Sequence, residues 1–101
     1  MEVSEAIRTV LAVREFQDKP VPDNIVNKII ESARLTGSSM NGQPWHFILI
    51  RKRESLVKIG STVSSGKYTA QSAFAIAVAV DKSSPFGISD ASRAIQSMVL
   101  T

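Results

Sequence analysis

Within residues 37–43 the chain places two hydroxyls (Ser38, Ser39), two carboxamides (Asn41, Gln43) and two glycines (Gly37, Gly42). Apolar stretches flank this segment, so it offers several neutral hydrogen-bond donors and acceptors on a rigid frame. Such a set suits a planar ligand with alternating polar edge atoms better than it suits a bare phosphate. The same residues also fit a helix-end turn whose side chains satisfy local backbone groups. His46 is the only histidine, which rules out a histidine-based metal site. It can titrate near neutral pH, yet no neighbour in the sequence gives it a catalytic role. With no cysteine there is no disulfide, no thiolate metal site and no cysteine nucleophile.

The elements around this segment follow from periodicity. Val3, Ala6, Ile7, Val10 and Leu11 recur at helical spacing and predict a first amphipathic helix over about residues 3–11. Residues 14–20 should be extended, because the residue before a proline is pushed out of the helical region. Pro22 and Asp23 suit the start of a second helix carried by Ile25, Val26, Ile29, Ile30 and Ala33. Gly37 is expected to end it in the left-handed conformation. Residues 46–50 read as a strand, 54–63 as a short helix and 74–80 as a wholly apolar strand covered on both faces. Ser89 is the expected N-cap of a last helix traced by Ala91, Ile95, Met98 and Val99. Trp45 and Phe47 are expected as core anchors. Two strands alone fall short of a self-sufficient sheet, which needs about three or strong helical cover. The last helix also reaches Thr101 without a stop signal. Both features lead to the expectation of an incomplete domain, finished by a missing second half or by a partner chain.

Composition sets outer limits. The chain has 101 residues, 44% of them hydrophobic and 21% charged, as in an ordinary soluble domain. No apolar run approaches the roughly 20 residues needed to span a bilayer. The acidic start Met1-Glu2-Val3-Ser4-Glu5 does not resemble a signal peptide, so a cytoplasmic location is expected. A net charge of +3 and the Arg51-Lys52-Arg53 run are the whole case for nucleic-acid binding. The run directly follows a strand-like segment and reads as a solvated strand end, so no nucleic-acid partner is expected.

The order Ser38-Ser39-Met40-Asn41-Gly42-Gln43-Pro44-Trp45 resembles the Ser-Ser-x-Asn-x-Gln-Pro-Trp loop of the FMN-dependent nitroreductase-like family. Val13-Arg14-Glu15-Phe16, Asp18-Lys19-Pro20-Val21-Pro22-Asp23 and Ala33-Arg34 also sit where that family has similar residues. Asp90, Ala91, Ala94, Ile95 and Gln96 look like the start of its long central helix. The resemblance implies an α+β fold, helices around a small β-sheet, working as an intertwined homodimer with FMN at the interface. It also implies hydride transfer from NADH or NADPH to the flavin, and then to a nitroaromatic, quinone or related acceptor. By position, Ser38, Ser39 and Asn41 would contact the flavin, with Gln43 close by. Arg14 would lie near the pyrimidine edge, where a cation stabilises the negative charge of the reduced ring. Otherwise Arg14 forms a surface ion pair with Glu15 or Asp18. Lys67 and Tyr68 lie where relatives sometimes touch the flavin, but their surroundings match too poorly to assign a role.

Two departures accompany the resemblance. Family members commonly carry Arg-Arg-Ser or similar before position 13, and the arginines help hold the FMN phosphate; this chain has Val10-Leu11-Ala12. A charge-assisted contact is worth roughly 1.5–3 kcal/mol, so losing two weakens binding by factors of tens to thousands. Family members are also considerably longer, and their second half supplies further strands and phosphate-binding residues. The alternative to an oxidoreductase is therefore a truncated, non-catalytic remnant that dimerises but binds FMN weakly or not at all.

Overall fold

A computed structural model describes residues 1–101 as four α-helices, two strands and two short 3-10 turns. The helices are α1 Val3–Thr9, α2 Asp23–Arg34, α3 Arg53–Thr62 and α4 Gly87–Leu100, and the strands are β1 Trp45–Ile50 and β2 Ala75–Val80. The expected α+β class holds, with a two-stranded sheet in the order β1–β2. Asp81 N–H, just past β2, donates to the carbonyl of Pro44, just before β1, at 2.8 Å. The end of one strand thus lies beside the start of the other, as in an antiparallel pair.

The chain divides into two compact units. The first comprises Met1–Leu11, Pro22–Phe47 and Val78–Thr101. Its core is Ala33, Trp45 and Ala94, with Phe47, Val78 and Met98 packed against them. Trp45 and Phe47 are core anchors, as their apolar bulk requires, with ring centroids 5.9 Å apart. Small residues on α2 and α4 let these helices approach closely, and Thr36 Oγ1 joins them through Ser97 Oγ at 2.8 Å. Gly87 serves a close approach of another kind. A Cβ there would fall 2.3 Å from Val80 Cγ1, so a larger residue at the start of α4 would force the Val80 side chain to move.

The second unit comprises Ala12–Val21 and Ile48–Ala77. Leu56 of α3 is fully buried, and Gly60 brings α3 against the 3-10 turn Lys67–Gln71. Phe16 tilts against Tyr68 with centroids 6.1 Å apart. The basic run 51–53 is exposed, as expected for a strand end, but its arginines also bind backbone. Arg51 donates to Val21 O at 3.2 Å, and Arg53 donates to Ala70 O.

Several expectations are corrected. The first helix stops at Thr9, where Val10 turns extended (φ −65°, ψ 132°), and it buries no residue. Val10 and Leu11 therefore do not extend a buried stripe; Leu11 is 81% exposed. A helix this short, which fully buries no residue, has little to prolong it. Gly37 is not a left-handed cap, since no glycine has positive φ. Instead α2 closes at Leu35 in the right-handed region, and Thr36 Oγ1 donates to Ser32 O at 2.8 Å, satisfying the helix end locally. The last helix begins at Gly87 after Phe86, before Ser89, and no side chain caps it. Finally, β2 is half-buried or exposed at every position, so nothing within this chain covers both its faces.

These contacts give glycine substitutions opposite signs. Gly60→Ala should destabilise the chain by about 1–3 kcal/mol, because the new Cβ meets backbone that cannot yield. It would lie 3.0 Å from Ala70 N and 3.2 Å from Lys67 O. Gly37→Ala, with nothing within 4 Å, should be neutral or stabilising by up to about 1 kcal/mol. Paired thermal melts of the two variants check the contrast.

Candidate functional site

The segment between α2 and β1 forms the 3-10 turn Ser39–Asn41 and then leads into Pro44. It is held in an unusual shape. Met40 (φ 53°), Asn41 (φ 55°) and Gln43 (φ 48°) are the only non-glycine residues with positive φ. Left-handed backbone costs an L side chain on the order of 1–3 kcal/mol, less for asparagine. Met40 gains nothing in return from burial, being 97% exposed. Strain of this kind persists only where the surroundings over-determine the conformation, and it concentrates at ligand-binding loops.

Short-range hydrogen bonds supply part of that determination. Asn41 N–H donates to Ser38 O and Gly42 N–H to Ser39 O, both at 3.0 Å. Gln43 N–H donates to Ser38 Oγ at 3.0 Å, and Gln43 Nε2 donates to Asn41 Oδ1 at 3.0 Å. After these bonds the Ser38 hydroxyl proton, the Asn41 amide N–H groups and Gln43 Oε1 still lack partners within the chain. Asn41 and Gln43 are exposed, and Ser38 is half-buried. The loop thus presents donors and an acceptor side by side, a pattern that fits the alternating edge of a flavin ring. It also satisfies its own backbone, so the two sequence-based alternatives for this segment are compatible.

A residue that the sequence did not single out for chemistry completes the arrangement. Asp90, in the first turn of α4, is 1% exposed. Its carboxylate accepts Ser39 N–H at 3.2 Å from each oxygen and Ser39 Oγ–H at 3.1 Å. Arg93, one turn along, donates to the same carboxylate. Burial works against the charge on Asp90, but the Arg93 guanidinium and the two Ser39 donors more than offset it. The carboxyl pKa accordingly lies below its ordinary value. A signal was present in the sequence: Asp90, Ala91 and Ala94 share one helix face, and all three are buried. An acid on an apolar stripe calls for dedicated partners.

Of the sequence-based candidates, Ser38, Ser39, Asn41 and Gln43 are brought together in this loop, in the first unit. Arg14 falls in the second unit, on the extended segment Ala12–Val21. It is exposed and pairs with neither Glu15 nor Asp18. Tyr68 packs on Phe16, and Lys67 is exposed, also in the second unit. Grooves of the first unit are lined by Met1, Val3, Leu35 and Leu100 in one place and by Val80, Asp81, Pro85 and Ile88 in another. Neither groove includes a residue of the loop.

The nitroreductase family model matches residues 8–101. A Methanothermobacter thermautotrophicus protein named "Putative NADH dehydrogenase/NAD(P)H nitroreductase" is 36% identical across 99% of this chain and 54% of its own length. An Archaeoglobus fulgidus protein of the same name is 35% identical across 79% of this chain and 46% of its own. The chain therefore spans about half the length of the curated relatives it matches. Among solved structures, an FMN-dependent nitroreductase from Clostridium difficile superposes with a TM-score of 0.90 at 26% identity. That match covers 94% of this chain and 57% of the other.

The low pKa of Asp90 has a direct consequence for stability. Its folded pKa lies below the unfolded value of about 3.9, so its contribution is present above that pH and is lost as pH falls through the folded value. Asp81 and Glu31 are shifted in the same direction and add to the acid sensitivity of the unmodified chain. Asp90→Asn should therefore weaken the chain at neutral pH and flatten its loss of stability below about pH 4. Urea titrations of both proteins across that range measure the difference.

Proposed function

The chain belongs to the nitroreductase family, and from that premise we propose that it forms part of an FMN-dependent NAD(P)H oxidoreductase acting on nitroaromatics, quinones or related acceptors. The observation that carries this proposal is the strained loop at residues 38–43, whose free donors and acceptor face outward. Ser38, Asn41 and Gln43 would hold the polar edge of the ring, and Ser39 would sit behind them, fixed by Asp90. Arg14 is assigned by family correspondence. Its permanent, unpaired charge would favour a ring that gains electrons. FMN, when bound, supplies the capacity to take a hydride from the nicotinamide and pass it to an acceptor. The chain's own part is to orient the ring edge and balance its charge.

We assign the phosphate no partner among residues 10–12, because Val10, Leu11 and Ala12 have no side-chain donor. A homodimer is part of the same proposal, supported by apolar side chains on α1 that the chain leaves largely exposed. Val3 and Ile7 are 71% and 55% exposed. The same 10–12 segment favours the second reading, a dimerising scaffold that binds flavin weakly and catalyses nothing.

Flavin titration separates the two. Micromolar binding of FMN, with NADPH oxidation in the presence of a quinone, supports the oxidoreductase; no binding at that concentration supports the scaffold. If residues 10–12 do leave the phosphate unheld, riboflavin and FMN should bind this chain within about threefold of each other, since a charge-assisted contact would separate them by more than tenfold. Arg14→Ala should weaken binding by about five- to tenfold, an effect that shrinks at high salt. Sedimentation at several concentrations reads the dimer.

A further inference from the structure

An ionised carboxylate can only accept hydrogen bonds. Because Asp90 is buried and faces both polar groups of Ser39, the direction of every bond between them is fixed. The backbone N–H of Ser39 points at both carboxylate oxygens at 3.2 Å, and its hydroxyl proton points at Oδ1 at 3.1 Å. Ser39 has therefore spent both of its donors inside the protein. Its Oγ lone pairs are all that its side chain can offer outward, and Ser39 is only half-buried. Arg93 bonds the same carboxylate, which keeps Asp90 in its accepting state. No buried side-chain polar atom is left unsatisfied, so the arrangement is complete without a ligand.

We infer that Asp90 is a positioning residue that sets the hydrogen-bond polarity of the loop, turning Ser39 Oγ into an acceptor so that the ligand group it meets must be an N–H or O–H donor. This deepens the flavin assignment and rests on it. A flavin offers two donors of that class, the ring imide N–H and the ribityl hydroxyls. Its carbonyl oxygens and phosphate cannot serve at this place, and they are left to the free donors of Ser38 and Asn41.

Asp90→Ala removes both carboxylate oxygens, so Ser39 Oγ loses its acceptor, can turn its own proton outward and meets the ligand donor with another donor. Asp90→Asn can keep its amide oxygen in the place of Oδ1, where both Ser39 Oγ and Arg93 donate, and so retains the bond. The test uses the full 101-residue chain, with riboflavin, lumiflavin and N3-methylriboflavin as probes read by flavin fluorescence. Riboflavin affinity should fall about tenfold or more in Asp90→Ala and stay within about threefold of the unmodified chain in Asp90→Asn, and Asp90→Ala in a Ser39→Ala background should cost less than about threefold. A loss that vanishes with lumiflavin identifies a ribityl hydroxyl as the donor, and one that vanishes with N3-methylriboflavin identifies the ring imide. An equal loss in both backgrounds, a loss that persists with both analogues, or no loss would overturn the inference.

A second readout needs no flavin. In the isotope-labelled chain, the Ser39 amide proton should move upfield and exchange faster with solvent in Asp90→Ala. Absence of flavin binding in the unmodified chain would sink the proposed function alone. The amide resonance then decides the Asp90 inference: a shift upholds it, and an unchanged resonance overturns it.

Discussion

A carboxylate taken out of water must find donors, and in this chain Asp90 finds them in a loop far away in sequence. Ser39 lies 51 residues before it, and only the packing of α4 beside that loop brings them together. Asp90, Ala91 and Ala94 bury the same face of α4, so the alanines that seat the helix also carry the acid inward. The partners then meet two needs at once. Ser39 and Arg93 make the buried charge tolerable, and Asp90 removes from Ser39 any freedom to turn its hydroxyl. Taking away either partner would leave the other with unsatisfied polar groups at low solvent access, where such groups are costly.

The strain in the loop makes sense only with that anchor. Three consecutive or near-consecutive residues in the left-handed region are unfavourable for side chains that are not glycine. The turn bonds centred on Ser38 hold the loop from within, and Asp90 holds it from the helix. Because these bonds use up inward-facing groups, the outward set left on Ser38, Asn41 and Gln43 is small and directional. A loop of this kind would select a ligand by the order of donors and acceptors along its edge. That is the form of recognition suited to a flavin ring, and it differs from the charge-based hold that a phosphate needs. The apolar stretch Val10-Leu11-Ala12 agrees with such a division of labour within this half-length relative of longer nitroreductases.

Periodicity alone located the helices and strands to within a few residues, because the apolar faces of α2, α3, α4 and β1 are regular and each must be buried somewhere. The order of residues 38–45, with the pattern upstream of it, carried the resemblance to the family that the match over residues 8–101 bears out. Trp45 and Phe47 were legible as core, being too large and apolar to leave in water. Helix ends were less legible. Thr36, one residue before the glycine that sequence rules favoured, closes α2 through a bond to Ser32, and Gly87 lies where a Cβ would meet Val80; neither contact shows in the helix-end preferences of single residue types.

By itself, then, the sequence determined which segments would be helix or strand, which side chains would seek the core, and which loop carried the polar chemistry. All of these depend on residue type and short-range spacing. The tertiary structure decided that Asp90 faces Ser39, that the loop is strained at Met40, Asn41 and Gln43, and that Ser39 turns its donors inward. Those outcomes depend on long-range contacts that bring α4 beside the loop, and no local pattern encodes the distance between two residues joined only by the fold.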